Sequence, residues 1–270
     1  MSSFIESTIR GFARAFSNSL LAEAAASRPG LLQQLDPRVR LAGIMVLVIS
    51  TVVCRQIAVI AVLFLLAAGI ATASGLPVML LAKRVWAVIL GFTGLIALPA
   101  LFLTPGDPLL TIPARHLAIS SQGLRAAALL VLRVETAATL TTTLVLCTPW
   151  THLLKALRSL HLPAELVVML AMTHRYVFLL IGTANQMFES RQSRSVGVLS
   201  GAQQRKMAAR TAGVLLSKSV EMSHEVYLAM LSRGFRGDIH LWTDFRMRVR
   251  DYLGLTAFIF AGLVAVWIGR

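Results

Sequence analysis

Ala164-Glu165-Leu166-Val167-Val168-Met169-Leu170-Ala171-Met172-Thr173-His174-Arg175-Tyr176-Val177-Phe178-Leu179-Leu180-Ile181 is the stretch whose reading decides the fold. Taken as a membrane span it brings the chain to six crossings. Taken as a long helix that stays on one side, buried or lying at the interface, it leaves five. Orientation favours the second reading. If the segment crossed, the basic residues from Arg191 to Arg250 would face the side opposite Arg38, Arg40, Lys83 and Arg84, and His174-Arg175 would lie near the bilayer centre.

The flanks support a helical region outside the bilayer. Before the stretch, Leu153, Leu154, Leu157 and Leu160 form an apolar stripe on a short helix between Thr148-Pro149 and Pro163. After it, Gln203 to Leu231 places Leu215, Met222, Val226 and Ala229 at helical steps. At the expected ends of the two long helices stand Ser193-Arg194-Ser195 and Ser232-Arg233-Gly234, each an arginine between small residues. One arginine near a helix C-terminus is weak evidence, because the exposed carbonyls favour any cation there by about 0.3–1 kcal/mol. Two at successive helix ends suit contact with a two-lobed partner, since small neighbours admit another backbone and a guanidinium engages carboxylates bidentately. Ser190-Arg191-Gln192 offers a competing register for the first site.

The remainder of the 270 residues is apolar: 56% of the chain is hydrophobic, 14% is charged, and mean hydropathy is +0.73. That composition excludes an ordinary soluble domain and indicates a polytopic membrane protein. The net charge is +14, and 14 of the 26 Lys and Arg fall between residues 150 and 251 against 7 of the 12 Asp and Glu, which marks that region as cytoplasmic.

Along the chain, Ile5, Ile9, Phe12, Phe16 and Leu20 with Arg10 and Arg14 on another face predict an amphipathic helix over 4–21, either on the cytoplasmic surface or packed on the rest of the protein. No signal peptide is expected. In Leu35-Asp36-Pro37-Arg38-Val39-Arg40-Leu41, Asp36 is a helix cap, Pro37 a first helical residue, and two arginines mark the membrane boundary. Leu41 to Ser74 reads as two short spans joined at Cys54-Arg55-Gln56. A third span covers Val85 to Thr104 before Pro105-Gly106-Asp107-Pro108, a fourth about Gln122 to Cys147, and the last about Tyr252 to Ile268. The expected organisation is therefore 1–37 as an N-terminal cytoplasmic segment, 38–147 as four spans, 148–251 as cytoplasmic coupling helices and 252–270 as a C-terminal span. The fold class is all-α, with about five transmembrane helices and six as the alternative.

Arg133 and Glu135 lie inside the fourth span, where each charge costs roughly 2.5–3.5 kcal/mol. They pair with each other, pair with neighbouring spans, or mark a cavity. Cys54 and Cys147 have no Cys or His neighbour at ligand spacing and are expected as packed thiols. His116, His152, His161, His174, His224 and His240 contain no His-x-x-x-His pair, so no metal site is expected. No Gly-Lys-Ser or Gly-Lys-Thr phosphate loop occurs, so nucleotide hydrolysis by this chain is not expected. The arginines are not interleaved with aromatic residues, which points to anionic lipid rather than nucleic acid.

Leu35-Asp36-Pro37-Arg38-Val39-Arg40-Leu41, Thr148-Pro149-Trp150-Thr151 with Leu153-Leu154-Lys155-Ala156-Leu157 and Leu162-Pro163, His174-Arg175-Tyr176-Val177-Phe178 and the two arginine sites occur in a fixed order over nearly the whole chain. In that combination the chain resembles the transmembrane T component of energy-coupling-factor transporters, of the cobalt-type CbiQ family. The resemblance implies a non-catalytic subunit of an ABC-type importer in the cytoplasmic (inner) membrane, with its N-terminus and coupling domain cytoplasmic. The implied partners are two ATPase subunits, which use ATP and receive Arg194 and Arg233 in grooves, and a membrane-embedded substrate-binding subunit that holds Co2+, or alternatively Ni2+. No cofactor is implied for the chain itself. In the family the motif usually reads Ala-Arg followed by a small residue; here both first positions are serine.

Two other classes make different demands. An enzyme acting on lipid headgroups needs paired carboxylates or an activated nucleophile at the inner face, and the sequence shows neither. An ion-coupled secondary transporter would use Arg133 and Glu135 as part of an ion pathway.

Overall fold

The computed structural model describes residues 30–103, 108–112, 117–160, 162–194, 200–236 and 247–270. The N-terminal segment expected to be amphipathic lies outside these. Apart from one short hairpin, the described chain is helical.

A 3-10 turn, Leu32–Gln34, leads into α1, Pro37–Val53. The Asp36 side chain accepts from Arg38 N at 2.9 Å, and Pro37, which has no N–H to leave unsatisfied, begins the helix as its sequence predicts. Cys54-Arg55-Gln56 makes the expected turn to α2, Ile57–Ala73. The next helix starts earlier than predicted: Val78–Leu81, a π-helical turn Ala82–Trp86 and Ala87–Leu103 run on as α3. The π turn carries Lys83 and Arg84, the charges that led the sequence reading to begin the span after them.

An antiparallel hairpin follows, β1 Pro108–Ile112 and β2 Leu117–Ser120, with Thr111 opposite Ala118. No sequence signal announced it. Ser120 then caps α4, Ser121–Cys147, accepting from Gly123 N at 2.9 Å. After Pro149 come α5, Trp150–Ser159, then α6, Ala164–Gln192, and α7, Gly201–Ser232. Ser200 and Gln203 cap α7 reciprocally. The last helix is α8, Val249–Gly269.

The described chain divides into two compact units. One holds α1 to α4, the start of α5 as far as Ala156, and α8; the other holds the chain from Leu157 to Asp244, with α6 and α7. The division between the two units falls inside α5. By length and composition Ser121–Cys147, Ala164–Ser190 and Val249–Gly269 can cross a membrane, and Ile57–Ala73 and Ala87–Pro99 are shorter apolar helices.

Within the first unit, hydrogen bonds fix which helix ends lie together. Asp36 N donates to Asp251 Oδ1 at 2.7 Å, so α1 and α8 start at the same end. At the other end Arg55 N donates to Gly269 O at 2.8 Å and the Cys54 thiol to Ala265 O at 3.2 Å, so the two helices run parallel. Arg40 donates to Cys147 O at 2.9 Å and Arg133 to Cys54 O at 2.8 Å, which sets α4 antiparallel to both. The chain therefore leaves the bundle after α4 and returns into α8 at one and the same end. If the bundle spans the membrane, the connecting segment crosses it an even number of times, and α6 as a lone sixth span is excluded.

Small residues let α1 and α8 approach. A Cβ on Gly262 would lie 2.8 Å from Val46 Cγ1 and Ser50 Oγ, one on Gly254 2.9 Å from Leu35 Cδ2, and one on Gly269 2.7 Å from Cys54 Sγ. Lipid competes with protein for apolar surface, so such close packing at small residues is what holds membrane helices together. Both cysteines are buried free thiols, as expected.

Two predictions follow from this packing. Arg40→Ala should leave three carbonyls, one buried and two part-buried, without their donor and lower stability by about 3 kcal/mol, with Arg40→Lys in between because an ammonium cannot reproduce the three-way fork; detergent-solubilised thermal unfolding reads both. Gly262→Leu should separate α1 from α8 and cost more stability than Gly69→Leu, since Gly69 on α2 has nothing within 4 Å of its Cβ position.

Candidate functional site

The second arginine site ends α7 in a defined cap. Ser232 is the last helical residue and Arg233 the C-cap; Gly234 follows at φ 81°, a left-handed conformation that costs a residue with a Cβ about 1–2 kcal/mol. Phe235 N donates to Met230 O at 3.0 Å and Gly234 N to Leu231 O at 3.0 Å, the two bonds of a Schellman motif. Gly234 is therefore required by the turn itself, besides any partner. The Ser232 hydroxyl donates to Ala229 O at 2.9 Å, so it is used within the helix, while Arg233 is exposed.

The first site has a related shape. Ser193 N donates to Glu189 O at 3.0 Å and its hydroxyl to Ser190 O at 3.0 Å, and Arg194 stands exposed in the turn beyond α6. Ser195 lies outside the described residues. Arg191, the competing arginine, belongs to the last turn of α6, whereas Arg194, like Arg233, stands beyond the end of its helix. Both serines that depart from the usual alanine thus bond to the carbonyl three residues back, a role internal to the chain.

Between these ends the two helices leave much apolar surface uncovered. Leu166, Met169, Val177 and Leu179 on α6 and Val214, Leu216, Val220 and Leu228 on α7 are exposed. The expectation that the decisive helix is either buried or interfacial is corrected in its first half: only 6% of its apolar window is buried within the chain. His174 packs edge-on against Phe178 one turn away, at 4.8 Å between centroids.

The intramembrane charges are not brought together. Arg133 and Glu135 are two positions apart on α4, a spacing that points side chains to different faces of a helix. Arg133 donates to Cys54 O, while neither carboxylate oxygen of Glu135, a residue only 5% exposed, has a hydrogen-bond partner. Of the three readings open to the sequence, mutual pairing is the one the geometry overturns.

The sequence reading missed a polar junction at the end of the bundle where α1 and α8 begin. Arg40, read from the sequence as a marker of the membrane boundary, is 4% exposed and donates to Gln33 O at 2.8 Å, Leu35 O at 2.8 Å and Cys147 O at 2.9 Å. Asp251, also 4% exposed, accepts from Asp36 N and, at 2.7 Å, from Arg248 N. The one available signal was Asp251 itself, a carboxylate closing the basic run Arg246 to Arg250. Nearby on α5, burial, reinforced by the Lys155 and Arg40 charges, pushes the His152 imidazole below its ordinary value.

The family model of CbiQ, cobalt transport protein, matches residues 30–241, from the turn before α1 to beyond the second arginine site. The chain belongs to the CbiQ cobalt transport family. A protein of Methanocaldococcus jannaschii described only as uncharacterised is 30% identical over 226 residues, 82% of this chain and 77% of that protein. The cobalt transport protein CbiQ of Rhodobacter capsulatus is 29% identical over 190 residues, 68% of this chain and 74% of its own length. In this CbiQ-family chain the match stops short of α8, which the structure nevertheless binds to α1 through Asp251 and the glycine contacts.

The αL turn yields a direct prediction. Gly234→Ala should cost about 1 kcal/mol at the end of α7 and speed amide exchange at Phe235, while Gly213→Ala in mid-helix, with nothing within 4 Å of its Cβ position, should not.

Proposed function

We propose that this CbiQ-family protein is the non-catalytic transmembrane coupling subunit of an energy-coupling-factor importer for cobalt. Separate ATPase subunits drive it, and a membrane-embedded subunit binds the substrate. The observation that carries the reading is the pair of exposed arginines, Arg194 and Arg233, set in turns just beyond two long helices whose apolar faces are uncovered. Each arginine would dock on one ATPase subunit. Closure of the ATPase pair on ATP would shift the ends of α6 and α7, and their uncovered apolar faces would pass that movement to the substrate-binding subunit. Cobalt is proposed from the family and from the named relative of Rhodobacter capsulatus, with nickel as the alternative cargo.

The orientation proposed is cytoplasmic for the end of the bundle where α1 and α8 begin. Arg38, Arg40, Lys83, Lys155, Arg248 and Arg250 belong to that end, against Arg55, Arg125, Arg133 and Arg270 toward the other. The connecting segment leaves and returns there, and with α6 and α7 both proposed to stay on that side, Arg194 and Arg233 would lie on the side where ATP is. In this orientation the span count is five and the membrane is the cytoplasmic one.

The test is the double variant Arg194→Ala, Arg233→Ala in the assembled transporter. Removing one desolvated partner of each arginine contact should cost about 2–5 kcal/mol of association, so ATPase capture on the membrane complex should fall at least tenfold and cobalt uptake with it, with insertion unchanged. Normal capture together with full uptake would sink the reading. Uptake by vesicles that contain no ATPase but carry an ion gradient would favour a secondary transporter instead, and a competition assay with nickel against cobalt separates the two cargoes.

A further inference from the structure

An open groove of about 310 Å³ lies at the end of the bundle where α1 and α8 start, and its lining changes character along its length. Arg250, exposed in the first turn of α8, stands at one end; Phe258, two turns further along the same helix, and Ile70 on α2 line the deeper part. Leu31, Leu32 and Leu35 from the turn before α1 form the third wall, and Leu31 is 62% exposed there. The walls are held by packing rather than by loops. Leu35 rests on Gly254, and the Phe258 ring lies against Gly43. The volume stands at the small end of the ~300–1,000 Å³ range of ligand sites.

We propose that this groove is a binding site for one anionic glycerophospholipid, its phosphate on Arg250 and an acyl chain laid between Ile70, Phe258 and the three leucines. The polarity of the groove is that of a lipid standing in a leaflet: the cation sits at the bundle end and the apolar lining extends inward from it. Anionic lipid is selected over zwitterionic lipid because, among the described residues, no carboxylate is paired with the Arg250 charge beside the mouth. Asp251, the nearest carboxylate in sequence, is turned inward and accepts from Asp36 N and Arg248 N, so Arg248 and Arg250 present positive charge that an ammonium headgroup would meet unfavourably. The site does not depend on what the helices of the other unit transmit, so its failure would leave the coupling role standing.

The experiment uses the full chain in a neutral detergent, with native mass spectrometry and thermal unfolding against phosphatidylglycerol, phosphatidylcholine and glycerol 3-phosphate. Phosphatidylglycerol should bind at least tenfold tighter than phosphatidylcholine and raise Tm, and glycerol 3-phosphate alone should do neither. Arg250→Gln, a change at an exposed position, should abolish the preference between the two lipids, and Ile70→Trp, which fills the deep end, should remove retention of both. Equal binding of the two lipids, an unchanged preference in Arg250→Gln, or protection by glycerol 3-phosphate matching that of the lipid would each overturn the proposal. Binding that appears only once residues 1–29 are deleted would assign the groove to that segment and overturn it as well.

Discussion

A buried guanidinium holds this structure in register. Taking Arg40 out of water is expensive, and the cost is offset only because its fork meets three backbone carbonyls, those of Gln33, Leu35 and Cys147, with the Asp36 and Asp251 carboxylates close by. Each of those carbonyls sits where the chain is otherwise short of partners: two in the turn before α1 and one at the C-terminal end of α4, whose last carbonyls have no intrahelical donor. One side chain thereby fixes how far α4 is displaced along α1. Asp251 then fixes α8 by accepting the N–H of the residue that caps α1. The consequence reaches beyond the bundle, because once these three ends coincide, everything between α4 and α8 begins and finishes on one face.

What the sequence made legible was local. Asp36-Pro37 announced a helix start, Cys54-Arg55-Gln56 a turn, Thr148-Pro149 a break, and each is found where one-dimensional signals place it. The burial of Arg40 was not foreseen because arginines at the edge of an apolar run ordinarily face water, and its partner Cys147 is 107 positions away. Asp251 and Asp36 are separated by 215. No periodicity reports such a pairing. Arg133 and Glu135 are a different case: the i, i+2 spacing alone argued against a mutual pair, since a helix turns about 200° over two residues. At the candidate docking site the reverse happened. The small residue after Arg233 was read as space for a partner, and it is also the left-handed residue that the helix cap demands.

The two units differ in what covers their apolar surface. In the bundle, glycines of α8 admit side chains of α1 and its flanking residues, and the buried threonines of α4 bond within their own helix, so packing is closed from inside. In α6 and α7 large apolar side chains alternate with exposed charge and find little cover in the chain. A long two-helix element with that surface gains by covering it with another protein or the membrane boundary.

The same interior weighs on the alternative of ion-coupled transport. A relay through α4 needs successive groups able to exchange a proton or hold a cation. Thr136, Thr139 and Thr143 each donate to the carbonyl one turn back, Trp86 Nε1 donates to Thr139 Oγ1 at 3.0 Å, and Arg133 is tied to Cys54 O. Glu135 is left alone among the described residues, a single carboxylate without a next station. A neutral carboxyl there needs no counter-charge and no pathway, whereas an ionised one would need both. Apart from Glu135, the polar stripe of α4 is thus tied down by fixed bonds to backbone and to Trp86, which suits a strut that has to keep its shape more than a conduit that has to pass an ion.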